Sequence, residues 1–182
     1  MSFSLPVLAP FFGNSAPSSA EPNEPQSLPD FILPTADGGD MRLTERAASY
    51  STLVLIFHRG FDCQDCRAQL AELQSGYNDL RIEGAEVIAI GLDDQLNTQQ
   101  LAQQLGVRFP MLVDATGVVA SNYGLREALE TDFTNVILIL NGDLQLLATR
   151  LATSTHQTLP VEAIVHAIRE ANGTGDTGGT AS

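Results

Sequence analysis

Two stretches of the chain are apolar almost without a break. Residues 51–57 (Ser-Thr-Leu-Val-Leu-Ile-Phe) and 85–92 (Ala-Glu-Val-Ile-Ala-Ile-Gly-Leu) are too short for buried helices and read as strands covered on both faces. Between them Cys63, Cys66, Leu70, Leu73, Tyr77 and Leu80 recur at alternating spacings of three and four residues, the apolar stripe of one helix. A strand, a helix and a strand in this order predict parallel pairing through a right-handed crossover. Further on, the pattern predicts a helix over 94–105 closed by Gly106, a short strand over 109–114 and a short helix over 118–123. Residues 135–140 and 143–150 read as two strands joined through Asn141-Gly142, a hairpin turn pair. The last helix opens at Pro160, with Val161, Ile164, Val165 and Ile168 on one face. The expected architecture is α/β: a βαβ half, a hairpin and a closing helix, with a mixed central sheet flanked by helices.

The ends carry no such pattern. Residues 1–27 are rich in Ser, Pro, Ala and Asn and read as a flexible N-terminal extension. Leu5 to Phe12 is mildly apolar and Ala20 resembles a cleavage site, yet no positive region precedes them and Pro6 and Pro10 interrupt the run. A secretory leader is therefore not expected. No run reaches the roughly 20 apolar residues of a membrane span. Residues 172–182, rich in Gly and Thr, form an expected disordered tail. One domain over 28–171 is left, and it contains no internal repeat.

Charge narrows the list of partners. The 182 residues include 22 acidic and 9 basic side chains, all nine arginines, for a net charge of −13. Such a chain is repelled by phosphate backbones and anionic bilayers, so neither nucleic acid nor membrane is an expected partner. Two cysteines cannot staple a disulfide scaffold.

Their position matters more than their number. Cys63 and Cys66 follow a buried strand and open a helix, the setting in which a CxxC reads as a redox pair. The helix N-terminus favours thiolate, the reactive form, and the three-residue spacing turns both sulfurs to one face. Arg59 and Arg67 should lower the thiol pKa values and Asp62 and Asp65 should raise them. The net expectation is a modest depression below about 8.5. Asp62 is also a candidate helix cap. The competing readings are two small buried hydrophobes at the start of the stripe, or a zinc site of Cys63, Cys66 and His58. Zinc would need a fourth ligand, and the chain has no second CxxC or His pair, so no metal is expected. His156 and His166, in or near the last helix, read as surface polar residues.

The sequence resembles a known family. Leu28-Pro29-Asp30-Phe31-Ile32-Leu33-Pro34 followed by Gly38-Gly39-Asp40-Met41-Arg42-Leu43 is similar to the opening of the alkyl hydroperoxide reductase/thiol-specific antioxidant branch of the thioredoxin-like superfamily. Phe57-His58-Arg59-Gly60-Phe61-Asp62-Cys63-Gln64-Asp65-Cys66 resembles the Phe-Tyr-Arg-Gly segment with CxxC of peroxiredoxin-like members. Phe109-Pro110-Met111-Leu112-Val113-Asp114, with Gly117 and Tyr123-Gly124, resembles a further block. The resemblance implies a thioredoxin-like fold over 28–171. It places Cys66, nine residues after Phe57, at the peroxidatic position and Cys63 at the threonine of the motif Pro-x-x-x-Thr-x-x-Cys. Arg59 stands where that motif has proline, and Asn135 where the family has an arginine and thioredoxin-type reductases a cis-proline.

The catalytic candidates are thus Cys66, Cys63 and Arg59, with Phe61 and Asn135 as substrate-binding candidates and no cofactor. The leading expectation is a peroxiredoxin-like thiol peroxidase in which Cys66 attacks peroxide and Cys63 resolves the sulfenic acid. The alternatives are a thiol–disulfide oxidoreductase and a non-catalytic redox-sensing or binding module. The implied partners are a peroxide or disulfide substrate and an external thiol donor of thioredoxin or glutathione type. The expected location is cytoplasmic.

Overall fold

A computed structural model describes residues 26–131, 133–153 and 158–173. Its frame is a five-stranded sheet in the order β5-β4-β3-β6-β7. The strands are β3 (Thr52–His58), β4 (Ala85–Gly91), β5 (Met111–Val113), β6 (Phe133–Asn141) and β7 (Leu146–Thr153), and a small hairpin of β1 (Ile32–Pro34) and β2 (Asp40–Arg42) precedes them. β3 pairs parallel with β4, β4 parallel with β5, and β6 antiparallel with both β3 and β7. The sheet is mixed, as the periodicity predicts.

Every residue of β3 and of β4 is buried, because helices cover both faces. Val54 and Ile56 pack against α2 (Gln64–Ser75), α3 (Tyr77–Ile82), α4 (Gln95–Leu105) and α7 (Val161–Gly173) through Leu70, Leu73, Leu80, Leu101, Ile164 and Ile168. Leu53, Leu55 and Phe57 face the other core, with α1 (Leu43–Ala47), α5 (Val118–Asn122) and α6 (Arg126–Thr131), where Phe57 and Phe31 contact the Tyr123 ring. Among the described residues no helix is long and apolar enough to cross a membrane.

Four expectations are corrected. The single helix of the 63–80 stripe is two, α2 and α3, with the break at Gly76. There the Val161 side chain comes so close that a Cβ on Gly76 would lie 2.5–2.7 Å from it, and the Glu72 carboxylate accepts from the Val161 N–H at 3.1 Å. Tyr77 and Leu80 still point inward, so the stripe survives the break. The hairpin turn is longer than Asn141-Gly142: Asn141 Oδ1 accepts from the amides of Asp143 and Gln145, and Leu144 takes φ 60°. The closing helix runs through Asn172 and Gly173 into the expected tail. Gln26 and Ser27, read as part of the extension, lie against the start of β7, where the Gln26 carbonyl accepts from Leu146 N–H at 2.8 Å. The remainder of both ends, and His156, lie outside the described residues. His166 is a surface residue, paired with Glu170 at 3.2 Å.

His58 closes β3 on a polar note. Its ring is fully buried beside Gly91, where a Cβ would meet the imidazole at 2.9 Å. Burial pushes its pKa down from 6.5 to about 4, against the opposing pull of the Asp93 carboxylate, so the ring is neutral near pH 7.

Two stability predictions result. Gly76→Ala should overpack the α2–α3 break against the stiff Val161 side chain and cost about 1–3 kcal/mol, read as a lower denaturation midpoint with an unchanged slope. For His58 the folded state binds fewer protons than the unfolded chain below pH 6.5. Its contribution is therefore whole above that pH and is lost as pH falls toward about 4, a drop of about 3 kcal/mol. Denaturant titrations of wild type and His58→Gln across this window should show the component in the wild type alone.

Candidate active site

The site is built where β3 stops. Residues 59–62 form the loop between β3 and α2. Gly60 takes φ 119°, a conformation suited to glycine, and a Cβ there would lie 2.5 Å from the Asp93 carboxylate. Asp93 holds this loop: its Oδ2 accepts from the Phe61 N–H at 2.8 Å, while its Oδ1 accepts from Asp94 N–H and Asn97 Nδ2. Burial pushes the Asp93 carboxyl up, but the Phe61, Asn97 and Asp94 N–H donors and the nearby His58 hold it below the ordinary value. Neighbouring Asp94 caps α4 by accepting from Asn97 N–H at 2.8 Å.

With the loop fixed, Cys63 becomes the N-cap of α2, and its Sγ accepts from the Cys66 N–H at 3.2 Å. Cys63 therefore fills the capping role expected of Asp62, whose side chain is exposed. The two cysteines are joined as a disulfide, with Cα atoms 5.2 Å apart. Among the described residues no cluster of three metal-ligating side chains exists.

The two sulfurs differ in access. Cys63 is half-buried and lines a groove of about 550 Å³ together with Arg59, Asp62, Asp65, Asp93 and Thr134. Cys66 is fully buried beneath it, its Sγ 3.2 Å from the Thr134 carbonyl oxygen, an acceptor for the thiol proton once the bond is reduced.

Both expected cations are present, each on a neutral partner. Arg59 Nε donates to the Leu129 carbonyl. Arg67 donates to Gln104 at 2.7 Å and lies 5.1 Å over the Phe61 ring. Neither charge is neutralised by these contacts, and Arg59 lines the groove. Phe61 is half-buried and packs on the α2 side of the core. Asn135 is buried as the cross-strand partner of His58, with its Nδ2 donating to Thr134 Oγ1 at 3.2 Å. It is Thr134, across the register irregularity at the start of β6, that reaches the groove. The structure thus brings Cys63, Cys66 and Arg59 together and sets Phe61 and Asn135 behind them.

Asp93, Asn97 and Thr134 were absent from the sequence-based candidates. For Asp93 a signal existed: an acidic pair directly after the strand parallel to β3, at the carboxyl edge where α/β sheets place their ligands. Nothing local marks Thr134.

Known proteins share this architecture. The sequence pattern of the AhpC/TSA family matches residues 25–149. The thiol-disulfide oxidoreductase ResA of Geobacillus thermodenitrificans is 26% identical over 100 residues, 54% of this chain and 56% of that protein, so the match spans about half the relative's length. Among solved structures, peroxidoxin BcpB of Mycobacterium tuberculosis superposes with a TM-score of 0.67 at 18% identity, covering 80% of this chain and 96% of that one. A putative thiol:disulfide interchange protein DsbE of Chlorobium tepidum gives 0.65 at 19%, covering 82% and 97%. At these identities the two structures bear on the fold. The chain belongs to the AhpC/TSA family, has the thioredoxin-like fold, and carries a disulfide-bonded CxxC pair at the start of α2.

Proposed function

We propose that the protein performs thiol–disulfide exchange through the Cys63–Cys66 pair, with Cys63 as the sulfur that meets the external partner. The observation that carries this reading is the unequal burial of the two sulfurs: Cys63 faces the groove and Cys66 lies wholly behind it. An incoming thiolate attacks along the S–S axis at the accessible sulfur, so reduction forms a mixed disulfide on Cys63 and expels Cys66. In the reverse direction the Cys63 thiolate attacks a substrate disulfide, and Cys66 then displaces the bound half and closes the pair. Two electrons pass from the dithiol to the substrate.

The geometry supports a reactive Cys63. As N-cap it keeps the Cys66 N–H donor at its sulfur, stronger to a thiolate than to a thiol, at the positive end of a twelve-residue helix. Arg59 and Arg67 add positive charge, and Asp62 and Asp65 work against it. An external thiol donor of thioredoxin or glutathione type would restore the dithiol, and the reducing cytoplasm is where such donors are held. The peroxidase reading, favoured by family membership and by the register of Cys66, places first attack on the other sulfur, and this makes the two separable.

Reduced wild type, Cys63→Ser and Cys66→Ser should be mixed rapidly with an aromatic disulfide and, separately, with hydrogen peroxide. Cys66→Ser should release one thiol and stop as a stable mixed disulfide, while Cys63→Ser should react at least about a hundredfold slower than wild type. Fast peroxide consumption that survives Cys63→Ser and vanishes in Cys66→Ser would instead establish the peroxidase. Asp93→Ala should free the loop that holds Cys63. It should slow disulfide reduction about tenfold and lower stability by about 1–3 kcal/mol, measured by the same mixing assay and by denaturation.

A further inference from the structure

The groove that gives access to Cys63 is unevenly charged. Asp62, Asp65 and Asp93 line it together with a single cation, Arg59. The acidic side is also the more outward one. Asp62, next to Cys63 in the chain, is exposed, whereas Arg59 is half-buried and its Nε is tied to the Leu129 carbonyl. Asp93 keeps its charge: burial pushes its carboxyl up, but its N–H donors hold it below the ordinary value. The other cation near the pair, Arg67, is not part of the groove lining and rests over the Phe61 ring with a hydrogen bond to Gln104.

This excess of acid acts on substrates as well as on the protein's own sulfur. Whatever the carboxylates do to the Cys63 thiolate they do for every disulfide, so that effect cancels when two substrates are compared. The interaction of the groove with charge carried by the substrate does not cancel. During attack the negative charge that starts on Cys63 spreads over three sulfurs and departs on the last of them. A cation beside the substrate sulfur is attracted both by the groove and by this moving charge, and an anion is repelled by both. In a site open to water each such pair of unit charges changes a rate by about threefold.

Resting on the exchange reading, we propose that the groove selects disulfides carrying an ammonium or guanidinium group beside the sulfur, with Asp62 as the residue that sets the preference. The Cys63 thiolate attacks the nearer substrate sulfur, the substrate S–S bond breaks, and one half leaves as thiolate. Cys66 then closes on Cys63 and the second half leaves. The dithiol is oxidised to the disulfide, the substrate is reduced to two thiols, and the two protons lost by the pair balance those gained by the products. Asp62 is suited to a test because it is exposed and the capping role at α2 belongs to Cys63, so its replacement by Asn leaves the helix start intact.

The test uses the reduced full chain and the homodisulfides of three matched dipeptides, N-acetyl-Cys-Lys-amide, N-acetyl-Cys-Gln-amide and N-acetyl-Cys-Glu-amide. Closure of the Cys63–Cys66 bond is followed by acid quench, alkylation and mass spectrometry. Each rate is divided by that of dithiothreitol with the same disulfide, which removes differences in the leaving thiol. At low ionic strength the Lys disulfide should react at least about tenfold faster than the Glu disulfide, with the Gln disulfide between them. Added salt should shrink this ratio, and Asp62→Asn should lower it about threefold. Cystamine compared with hydroxyethyl disulfide separates the sources of the cation: an advantage there assigns the class to cationic disulfides of any size, and its absence beside a Lys preference assigns it to basic peptides. Equal normalised rates, a faster Glu disulfide, or a ratio that Asp62→Asn leaves unchanged overturns the preference while leaving exchange intact. Failure of all three dipeptide disulfides to oxidise the pair, the neutral one included, overturns exchange itself and this inference with it.

Discussion

The structure depends on β3, a strand whose seven residues are all buried and which is hydrogen-bonded to a parallel neighbour on one edge and an antiparallel one on the other. A strand walled in on four sides can leave the sheet only at its end, so the chain must turn out of the core directly after His58. That turn carries the reactive pair. Its path is set by the contact between Gly60 and the Asp93 carboxylate, closer than any side chain would permit, and by the Phe61 amide donated to the same group. Strand, turn and helix start form one rigid unit, and the sulfur of Cys63 inherits its position from packing some distance away.

The electrostatics of the site follow from the partners its charges choose. The chain is strongly acidic overall, yet Arg59 and Arg67 bind a backbone carbonyl and an amide side chain rather than carboxylates. Of the two, Arg59 lines the groove with Cys63. The acidic residues divide into two groups: Asp93 is consumed by N–H donors and shapes the loop, whereas Asp62 and Asp65 border the groove. A similar economy holds at the opposite end of β4. There the buried Glu86 carboxylate accepts from Tyr77, Arg81, Arg46 and the Val87 amide and ties α1 and α3 to the sheet.

The pair itself is asymmetric because the helix begins between its members. Cys63 stands in extended conformation as the cap, and Cys66 is already within the first turn, rotated toward the sheet and the start of β6. One sulfur therefore meets whatever enters the groove and the other meets only the protein.

Most of the fold was legible along the chain. The unbroken runs of β3 and β4, the stripe of α2, the Gly106 stop and the face of α7 each follow from local burial, and local burial is what a hydrophobic period records. The redox pair was legible for the same reason, being a short motif at a strand–helix junction. Contacts between distant segments were not. Gly76 breaks the stripe because Val161 packs against it from α7, Asp62 loses the cap because the loop delivers Cys63 to that place, and Asn135 withdraws while Thr134 comes forward at a strand irregularity. The sequence by itself determined which elements form and which atoms are chemically able to react. Only the tertiary structure decided which sulfur is reached from outside and which groups stand behind the other, because those depend on side chains brought together from separate parts of the chain by a core that forms as a whole.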